Sequence, residues 1–254
     1  FGLTWPWESL HVEALAWFDH WLKGRDTGIM DGPPVRYFLP GLDDWRTAST
    51  WPPLAEHRTF ALGADGQLGA GPGTPGSRRY LCDGGGLNRL RNANPFPLPG
   101  LLSWDSAPLD QDTDVVGEIE LRLRASSTAT DTAWIATLQD VAADGSATDV
   151  TAGYLRASLR AVDEPASRLG APVLPCRDPR AVPIGTPVDY RIPLVPNARR
   201  FKAGHRIRLV LTSDDHPPDR PAIMNFRHTP VGTSAINEIF ADSQLLLPVL
   251  TRSS

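Results

Sequence analysis

Three segments of this chain alternate apolar and polar residues with a period of two, and this pattern constrains the fold more than any other feature. One segment reads GEIELRLRA from Gly117, and the others read VDYRIPL from Val188 and HRIRLVLT from His205. Successive side chains of a strand point to opposite faces, so this period predicts half-buried antiparallel strands. We therefore expect Leu121 and its apolar neighbours to face the core, and Glu120 and its charged neighbours to face solvent.

The rest of the chain from residue 33 onward is patterned in a similar way. Short apolar or alternating runs predict further strands at 35–39, 58–62, 79–82, 101–104, 134–141, 154–159 and 245–250. The 22 glycines and 25 prolines supply turns, among them the hairpin turn AADGSA that starts at Ala142. About ten short strands in succession are typical of two packed sheets, so we predict a mainly β fold, a jelly-roll β-sandwich.

One helix precedes these strands. Residues 9–23 place large apolar side chains at helical spacing on one face: Leu10, Ala14, Trp17, Phe18 and Trp21. Ser9 is a suitable N-cap, and Gly24 is suited to end the helix. Aromatic side chains bury about 150–250 Å² each when they pack, so we expect the sandwich, another domain or another copy to cover this face.

Composition and charge narrow the range of partners. The net charge is -4 and basic residues form no long run, so we expect no nucleic-acid partner. No apolar stretch is long enough to span a bilayer, and we expect no membrane association. Cys82 and Cys176 are expected to be free, buried thiols, which fits a reducing compartment and favours a cytoplasmic location.

The sequence lacks the serine motif of an α/β-hydrolase. That motif, G-x-S-x-G, needs small flanking residues because the serine lies on a strained turn between a strand and a helix. Ser146 and Ser234 have a glycine one or two positions before them but none two positions after them. We therefore predict no catalytic residue in this chain.

His205, at the start of a strand, is predicted to make a structural hydrogen bond.

Two acidic segments contain several carboxylates close together, which is the residue type that binds hard cations. In DQDTD, from Asp110, three carboxylates have the first spacings of an EF-hand loop, but Val115 and Leu121 stand where that loop needs glycine and glutamate. SDDHPPD, from Ser213, is more typical of a solvated turn. No two histidines have the spacing of a metal-ligand pair, so we predict no metal and no cofactor. A structural calcium of another kind stays open.

Four segments together resemble a known family. They read VRYFLPGLDDWRTASTWPP, ATDTAWIATLQDVAADGSA, FKAGHRIRLVLTSDDHP and LLLPVL, in this order along nearly the whole chain. They are similar to the C-terminal domain of the X-prolyl dipeptidyl peptidase and cocaine esterase family of serine hydrolases. The resemblance implies a galactose-binding-like jelly roll that follows an α/β-hydrolase domain carrying the serine, aspartate and histidine.

The resemblance also implies a division of the chain and a set of contacts. The segment ALAWFDHWLKG resembles the last helix of the hydrolase domain, so residues 1–32 are expected to be the end of that domain and 33–254 the jelly roll. The rest of the hydrolase domain would lie before Phe1, and Trp17, Phe18 and Trp21 would form the interdomain interface. In cocaine-esterase-like members the jelly roll leans over the acyl pocket near the loop after YLCD, which makes Phe96 a candidate pocket wall.

The sequence departs from the family pattern at three places. Ala133 follows Asp131 and Thr132 where the family often has a further aspartate. A Gly/Asn-rich segment follows YLCD where the family tends to be rich in aspartate and proline. The segment DRPAIMNFRHTPVG, from Asp219, replaces an Asn-rich turn.

Two functions are compatible with the sequence. The first is an accessory domain of a serine hydrolase for esters or X-Pro peptides. It would shape substrate access and pack against the upstream domain or another subunit. The sequence leaves open whether the protein forms a homo-oligomer. The second is a non-catalytic carbohydrate-binding jelly roll with tryptophans as stacking platforms: Trp45, Trp51, Trp104 or Trp134. Exposed, coplanar tryptophans would favour sugar binding.

Overall fold

A computed structural model of the protein describes residues 7–82, 98–213 and 234–250, with the backbone alone for 7–9. One helix, α1 (Trp7–Lys23), precedes the strands. The strands are β1 (Val35–Leu39), β2 (Asp44–Ala48), β3 (Glu56–Leu62), β4 (Leu68–Gly69), β5 (Ser77–Cys82), β6 (Leu101–Asp105), β7 (Thr113–Ser127), β8 (Ala133–Val141), β9 (Ala147–Arg156), β10 (Val188–Phe201), β11 (Arg206–Thr212), β12 (Ala235–Phe240) and β13 (Gln244–Val249). A short 3₁₀ helix (Ala157–Leu159) follows β9.

The strands form one large antiparallel sheet that folds over on itself. Its order is β4-β3-β13-β7-β10-β9-β8-β11-β6, and β12 pairs with both β5 and β7. A bridge between Gln67 and Asp105 brings the two ends of this order together. A hairpin of β1 and β2 forms a separate two-stranded sheet. The architecture is a β-sandwich, as the sequence predicted; a galactose-binding-like topology stays a prediction.

The predicted strand faces are confirmed at the centre of the sandwich. β7 and β10 run antiparallel, with Leu121 opposite Ile192, and both side chains are fully buried. β11 contributes a third buried apolar row: Ile207, Leu209 and Leu211. The largest buried side chains fill the space between the layers: Trp104, Trp134, Tyr80, Tyr190 and Phe201. Burial of these apolar surfaces is the main contribution to the stability of the fold.

The outer face of β7 differs from the prediction. Glu120 was expected to face solvent, but it is fully buried. The segment between the 3₁₀ helix and β10 covers this face, where Arg168 pairs with Glu118 at 2.5 Å and Gly170 N donates to Glu120 Oε2 at 3.1 Å. The expectation failed because a long connection, rather than water, lies over the charged side of the strand.

Several local predictions also need correction. The helix begins at Trp7, so Ser9 lies inside it and is not the N-cap, whereas Gly24 does end the helix, with φ of 64° and its N–H bonded to His20 O at 3.1 Å. β2, β4 and β12 were not predicted. Cys82 is a buried free thiol, but Cys176 is exposed, in the connection before β10.

Candidate interdomain surface

Polar contacts hold one side of α1 against the segment that follows it. Thr27 Oγ1 donates to Ala16 O at 3.0 Å, and Asp19 pairs with Lys23 at 2.6 Å and with Arg25 at 2.9 Å. The hydrogen bond from Lys23 lowers the pKa of the Asp19 carboxyl below its ordinary value. These contacts join the second half of α1 to the residues that directly follow it.

The aromatic surface of α1 (Trp17, Phe18 and Trp21) is exposed. The three side chains have exposed fractions of 47%, 56% and 57%. The rings of Trp17 and Trp21 lie 5.8 Å apart, tilted by 50°, so they form one contiguous patch. Leu15 and Leu22 of the same helix are exposed as well. The described part of the chain does not cover this surface, and contiguous exposed apolar patches of this kind mark interaction sites.

The β1–β2 hairpin connects α1 to the sandwich. Arg36 of β1 forms an ion pair with Glu13 of α1, and its guanidinium lies over the ring of Trp45 at 4.7 Å. At the hairpin turn, Arg200 N donates to Pro40 O at 2.8 Å, which joins the hairpin to the end of β10.

A buried polar cluster lies at the opposite end of β7. It consists of Tyr80, Thr132, Ser213 and Asn237, all of which are nearly or fully buried. Asn237 Nδ2 lies 3.1 Å from the hydroxyl oxygens of the other three, and Tyr80 and Ser213 share a hydrogen bond of 2.8 Å. Burial raises the pKa of Tyr80 well above its ordinary value, so the hydroxyl stays protonated. Sequence analysis missed this cluster because its members are far apart in the chain.

This polar cluster lies at the base of two long segments. Tyr80 is close to the end of β5, from which residues 83–97 continue, and Ser213 directly precedes residues 214–233. Leu81 N donates to Pro99 O at 2.8 Å, which joins the chain on either side of the first segment. Phe96, the predicted pocket wall, lies outside the described residues. The structure therefore fixes only the base of the segment that carries it.

The hairpin and the polar cluster are well separated. Arg200, next to the hairpin, pairs with Asp114 at the start of β7, whereas Asn237 pairs with Ser127 at its end. Strands rise about 3.3 Å per residue, so these points are up to about 40 Å apart along β7. A partner that touched both would have to be a large body such as another domain.

Two side chains of catalytic residue types, His205 and Ser146, make local structural hydrogen bonds. His205 Nδ1 lies 2.7 Å from Asp140 Oδ1, and Arg199 binds the other carboxylate oxygen at 2.6 Å. This arrangement agrees with the predicted structural role of His205. Ser146 Oγ donates to Asp144 at 2.6 Å within the β8–β9 turn.

Two aspartates of the DQDTD segment have partners within the protein. Asp114 binds Arg200 through both oxygens, at 2.6 and 2.7 Å, and Asp112 accepts a hydrogen bond from Ala203 N at 3.0 Å. Within residues 7–82, 98–213 and 234–250, no three histidine, cysteine or acidic side chains are grouped as a metal site would need. The acidic segment 214–219 lies outside the described residues.

The four tryptophans that the sequence offered as stacking platforms do not form a set of exposed, coplanar rings. Trp104 and Trp134 are buried, and Trp104 Nε1 donates to Gly63 O at 2.9 Å. Trp51 is exposed, but its ring meets that of Tyr37 at 62° in an edge contact, and Trp45 is only half-buried. Stacked sugars require exposed ring faces, so the carbohydrate-binding alternative is not favoured.

The chain is thus a β-sandwich preceded by a helix with an exposed aromatic surface. In a comparison with known families, residues 27–222 match the X-Pro dipeptidyl-peptidase C-terminal non-catalytic domain. The chain belongs to this family, as the sequence motifs indicated. In the described part of the chain, no helix has the length and apolar character needed to cross a membrane.

Two curated relatives show the same relationship at the level of sequence. A Mycobacterium bovis protein named as a serine esterase is 32% identical in an alignment of 237 positions that covers 84% of this chain and 37% of the relative. The cocaine esterase of a Rhodococcus species is 27% identical in an alignment of 245 positions that covers 85% of this chain and 40% of the esterase. The chain thus spans about two fifths of the length of these relatives.

Solved structures support the fold. A CocE/NonD family hydrolase from Staphylococcus aureus superposes with a TM-score of 0.79 at 21% identity, covering 96% of this chain and 46% of the hydrolase. An aminopeptidase from a marine sediment archaeon (Thaumarchaeota archaeon) gives a TM-score of 0.69 at 18% identity, covering 94% of this chain and 43% of the aminopeptidase.

Proposed function

We propose that this chain is the accessory C-terminal part of a serine hydrolase for esters or X-Pro peptides, and that its aromatic surface packs against an upstream α/β-hydrolase domain. The main support is the exposure of Trp17, Phe18 and Trp21, an aromatic surface that the described part of the chain leaves uncovered. The family and the greater length of the relatives support a catalytic domain as the partner. In this proposal, α1 belongs to the end of the hydrolase domain, and the catalytic triad lies in that domain.

The second part of the proposal concerns substrate access. The segment that carries Phe96 leaves β5 beside the buried polar cluster, and Leu81 and Pro99 are joined across its base. A fixed base would let this segment present Phe96 to the acyl pocket of the catalytic domain, as the resemblance implies. The cytoplasm remains our expectation for the location, and self-association stays open.

The packing proposal is tested on the full-length protein. Trp17→Ser combined with Trp21→Ser should lower the melting temperature and increase cleavage between the two domains by a protease. Leu54→Ser is the matched control, because Leu54 is 91% exposed and distant in sequence from α1. Unchanged melting, proteolysis and esterase activity in the double variant would contradict the proposed interface.

The access proposal needs a kinetic measurement. Phe96→Ala in the full-length protein should raise KM for an aromatic acyl ester more than it lowers kcat, because a pocket wall acts mainly on binding. A series of acyl groups of increasing size should show the largest change for the acyl groups that reach the wall. An equal effect on all acyl groups, or no effect, would contradict a role for Phe96 in the pocket.

A further inference from the structure

A cavity of about 740 Å³ lies between the β1–β2 hairpin and the sandwich. The hairpin contributes Tyr37 and Arg46 to its wall, β3 contributes Arg58, and β10 contributes Arg200. Its volume is within the range of about 300–1,000 Å³ that is typical of small-molecule sites. The cavity thus brings together three guanidinium groups from three separate strands.

One of these arginines is already neutralised. Arg200 donates two hydrogen bonds to Asp114, at 2.6 and 2.7 Å, and Asp112 lies 3.9 Å from it. The hydrogen bonds to Asp114 raise the pKa of the Arg200 guanidinium. The carboxylates of Asp112 and Asp114 therefore both lie beside the Arg200 guanidinium. Asp112 also accepts the hydrogen bond from Ala203 N.

Arg46 and Arg58 differ from Arg200. Both are exposed, both line the cavity, and neither has an ion-pair or hydrogen-bond partner in the part of the chain that the structure describes. With three arginines and two aspartates, the wall carries one excess positive charge, located on the groups that are free to bind. A guanidinium offers paired N–H donors that match the two oxygens of a carboxylate or a phosphate.

The rest of the wall adds an apolar surface and a further donor. Leu250 and the ring of Tyr37 are half-buried and border the cavity beside the guanidinium groups. The Tyr37 hydroxyl has no hydrogen-bond partner among the described residues. Burial raises the pKa of Tyr37, so the hydroxyl is a donor at neutral pH. A ligand with an anionic head and a hydrocarbon body would match both kinds of surface.

We propose that this cavity binds a small organic anion, a carboxylate or a phosphate monoester with an apolar body, through Arg46 and Arg58. The apolar body lies against Leu250 and the ring of Tyr37, and the anionic group accepts hydrogen bonds from the two guanidinium groups. This site is separate from the proposed role in substrate access, because the cavity lies at the hairpin, whereas the segment that carries Phe96 leaves the sandwich beside the buried polar cluster.

Calorimetric titration of the full-length protein tests the site with three probes: benzoate, phenyl phosphate and inorganic phosphate. We expect the two aromatic anions to bind more tightly than inorganic phosphate, because only they contact the apolar wall. Their relative affinity identifies a carboxylate or a phosphate monoester as the preferred head group. Binding should weaken as salt increases, because both guanidinium groups are exposed.

Variants then assign the binding to the two arginines. Arg46→Gln with Arg58→Gln should weaken the tighter probe by about tenfold or more, since charged hydrogen bonds are lost. Arg58→Lys keeps the charge but loses the paired donors, and it should give an intermediate loss. Arg177→Gln is the control, because Arg177 is exposed and lies outside the cavity wall. A circular dichroism melt of each variant checks that the fold is retained.

Two results would overturn the proposal. One is equal affinity in the wild type and the double arginine variant, which would place the anion elsewhere. The other is the absence of saturable binding for all three probes up to about 10 mM, an affinity too weak for a specific site.

Discussion

The carboxylate of Glu120 and the guanidinium of Arg191 meet across β7 and β10, with 2.6 Å between Oε1 and Nε, although Glu120 is fully buried. Arg191 also binds Glu164 at 2.7 Å, and Gly170 N binds the second oxygen of Glu120. This buried carboxylate therefore joins the outer face of the sheet to the long connection that covers it. Removing one member of a buried ion pair costs more than the pair itself contributes, because the partner is left without compensation.

Glu120→Ala should accordingly lower the free energy of unfolding by about 2–4 kcal/mol. Glu164→Ala should cost at most about 1 kcal/mol, because that carboxylate is exposed and its ion pair is screened by solvent. Urea unfolding of both variants gives the comparison. Equal small losses would mean that Glu120 is solvated, as the period-two pattern alone predicted.

The stability conferred by Glu120 should depend on pH. Burial raises the pKa of its carboxyl, but the hydrogen bonds from Arg191 and Arg122 outweigh burial and leave the pKa below the ordinary value of 4.5. A pKa that is lower in the folded state stabilises the fold above the unfolded pKa, and this stabilisation is lost as pH falls through the folded pKa. The stability difference between the wild type and Glu120→Gln should therefore be full at neutral pH and shrink below about pH 4.5.

Urea unfolding at a series of pH values measures that difference directly. Glu164→Gln is the matched control, since it removes an exposed carboxylate that binds the same arginine. Its stability difference should stay small at every pH. A Glu120→Gln difference that grew on acidification would mean that the folded-state pKa is raised rather than lowered.

A period of two identifies which residues share a face of a strand, but it does not identify what covers that face. This is why the apolar rows around Leu121 and Ile192 were predicted correctly and the burial of Glu120 was not. The covering connection has no periodicity, and its contacts depend on residues about 50 positions away, such as Gly170 and Glu120. The buried polar cluster was missed for the same reason, because its members come together only in the folded sheet.

The aromatic helix illustrates a second limit of sequence reasoning. Its spacing predicted a helix with Trp17, Phe18 and Trp21 on its surface, and the structure has that helix. Spacing gives no information about the partner of an apolar face, and the described residues leave this one exposed. Only the family resemblance pointed to a missing domain as the partner. For Phe96, too, only the family resemblance implied a pocket wall, and no local sequence pattern fixes where that residue lies.

The predicted core residues provide a test of strand register. Leu121→Ala and Ile192→Ala should each lower the free energy of unfolding by about 2–5 kcal/mol, because both are fully buried partners in the β7–β10 pair. Val195→Ala, on the same strand β10 but 61% exposed, should change stability by about 0.5 kcal/mol or less. Similar losses at Ile192 and Val195 would contradict the register.

The buried polar cluster should stabilise the fold through its hydrogen bonds. Tyr80→Phe removes the hydroxyl that contacts Ser213 and Asn237, and it should cost about 1–3 kcal/mol because those groups are buried. Thr148→Val is the control, since it removes an exposed hydroxyl. Guanidinium unfolding of both variants is the measurement. A loss no larger than that of the control would mean that the cluster contributes little.

The attachment of the hairpin to the sandwich depends on a close backbone approach at Gly41. Its φ is 88°, and a Cβ added there would lie only 2.2 Å from Arg200 O, so an alanine must displace backbone atoms. Gly145, with φ of 87°, has no atom within 4 Å of the corresponding position. Both alanine variants therefore carry similar backbone strain, and only Gly41→Ala adds the clash.

We expect Gly41→Ala to lower the melting temperature clearly more than Gly145→Ala does. It should also increase proteolysis of the hairpin near the hydrogen bond between Arg200 N and Pro40 O. Equal losses in the two variants would mean that the hairpin does not depend on this contact.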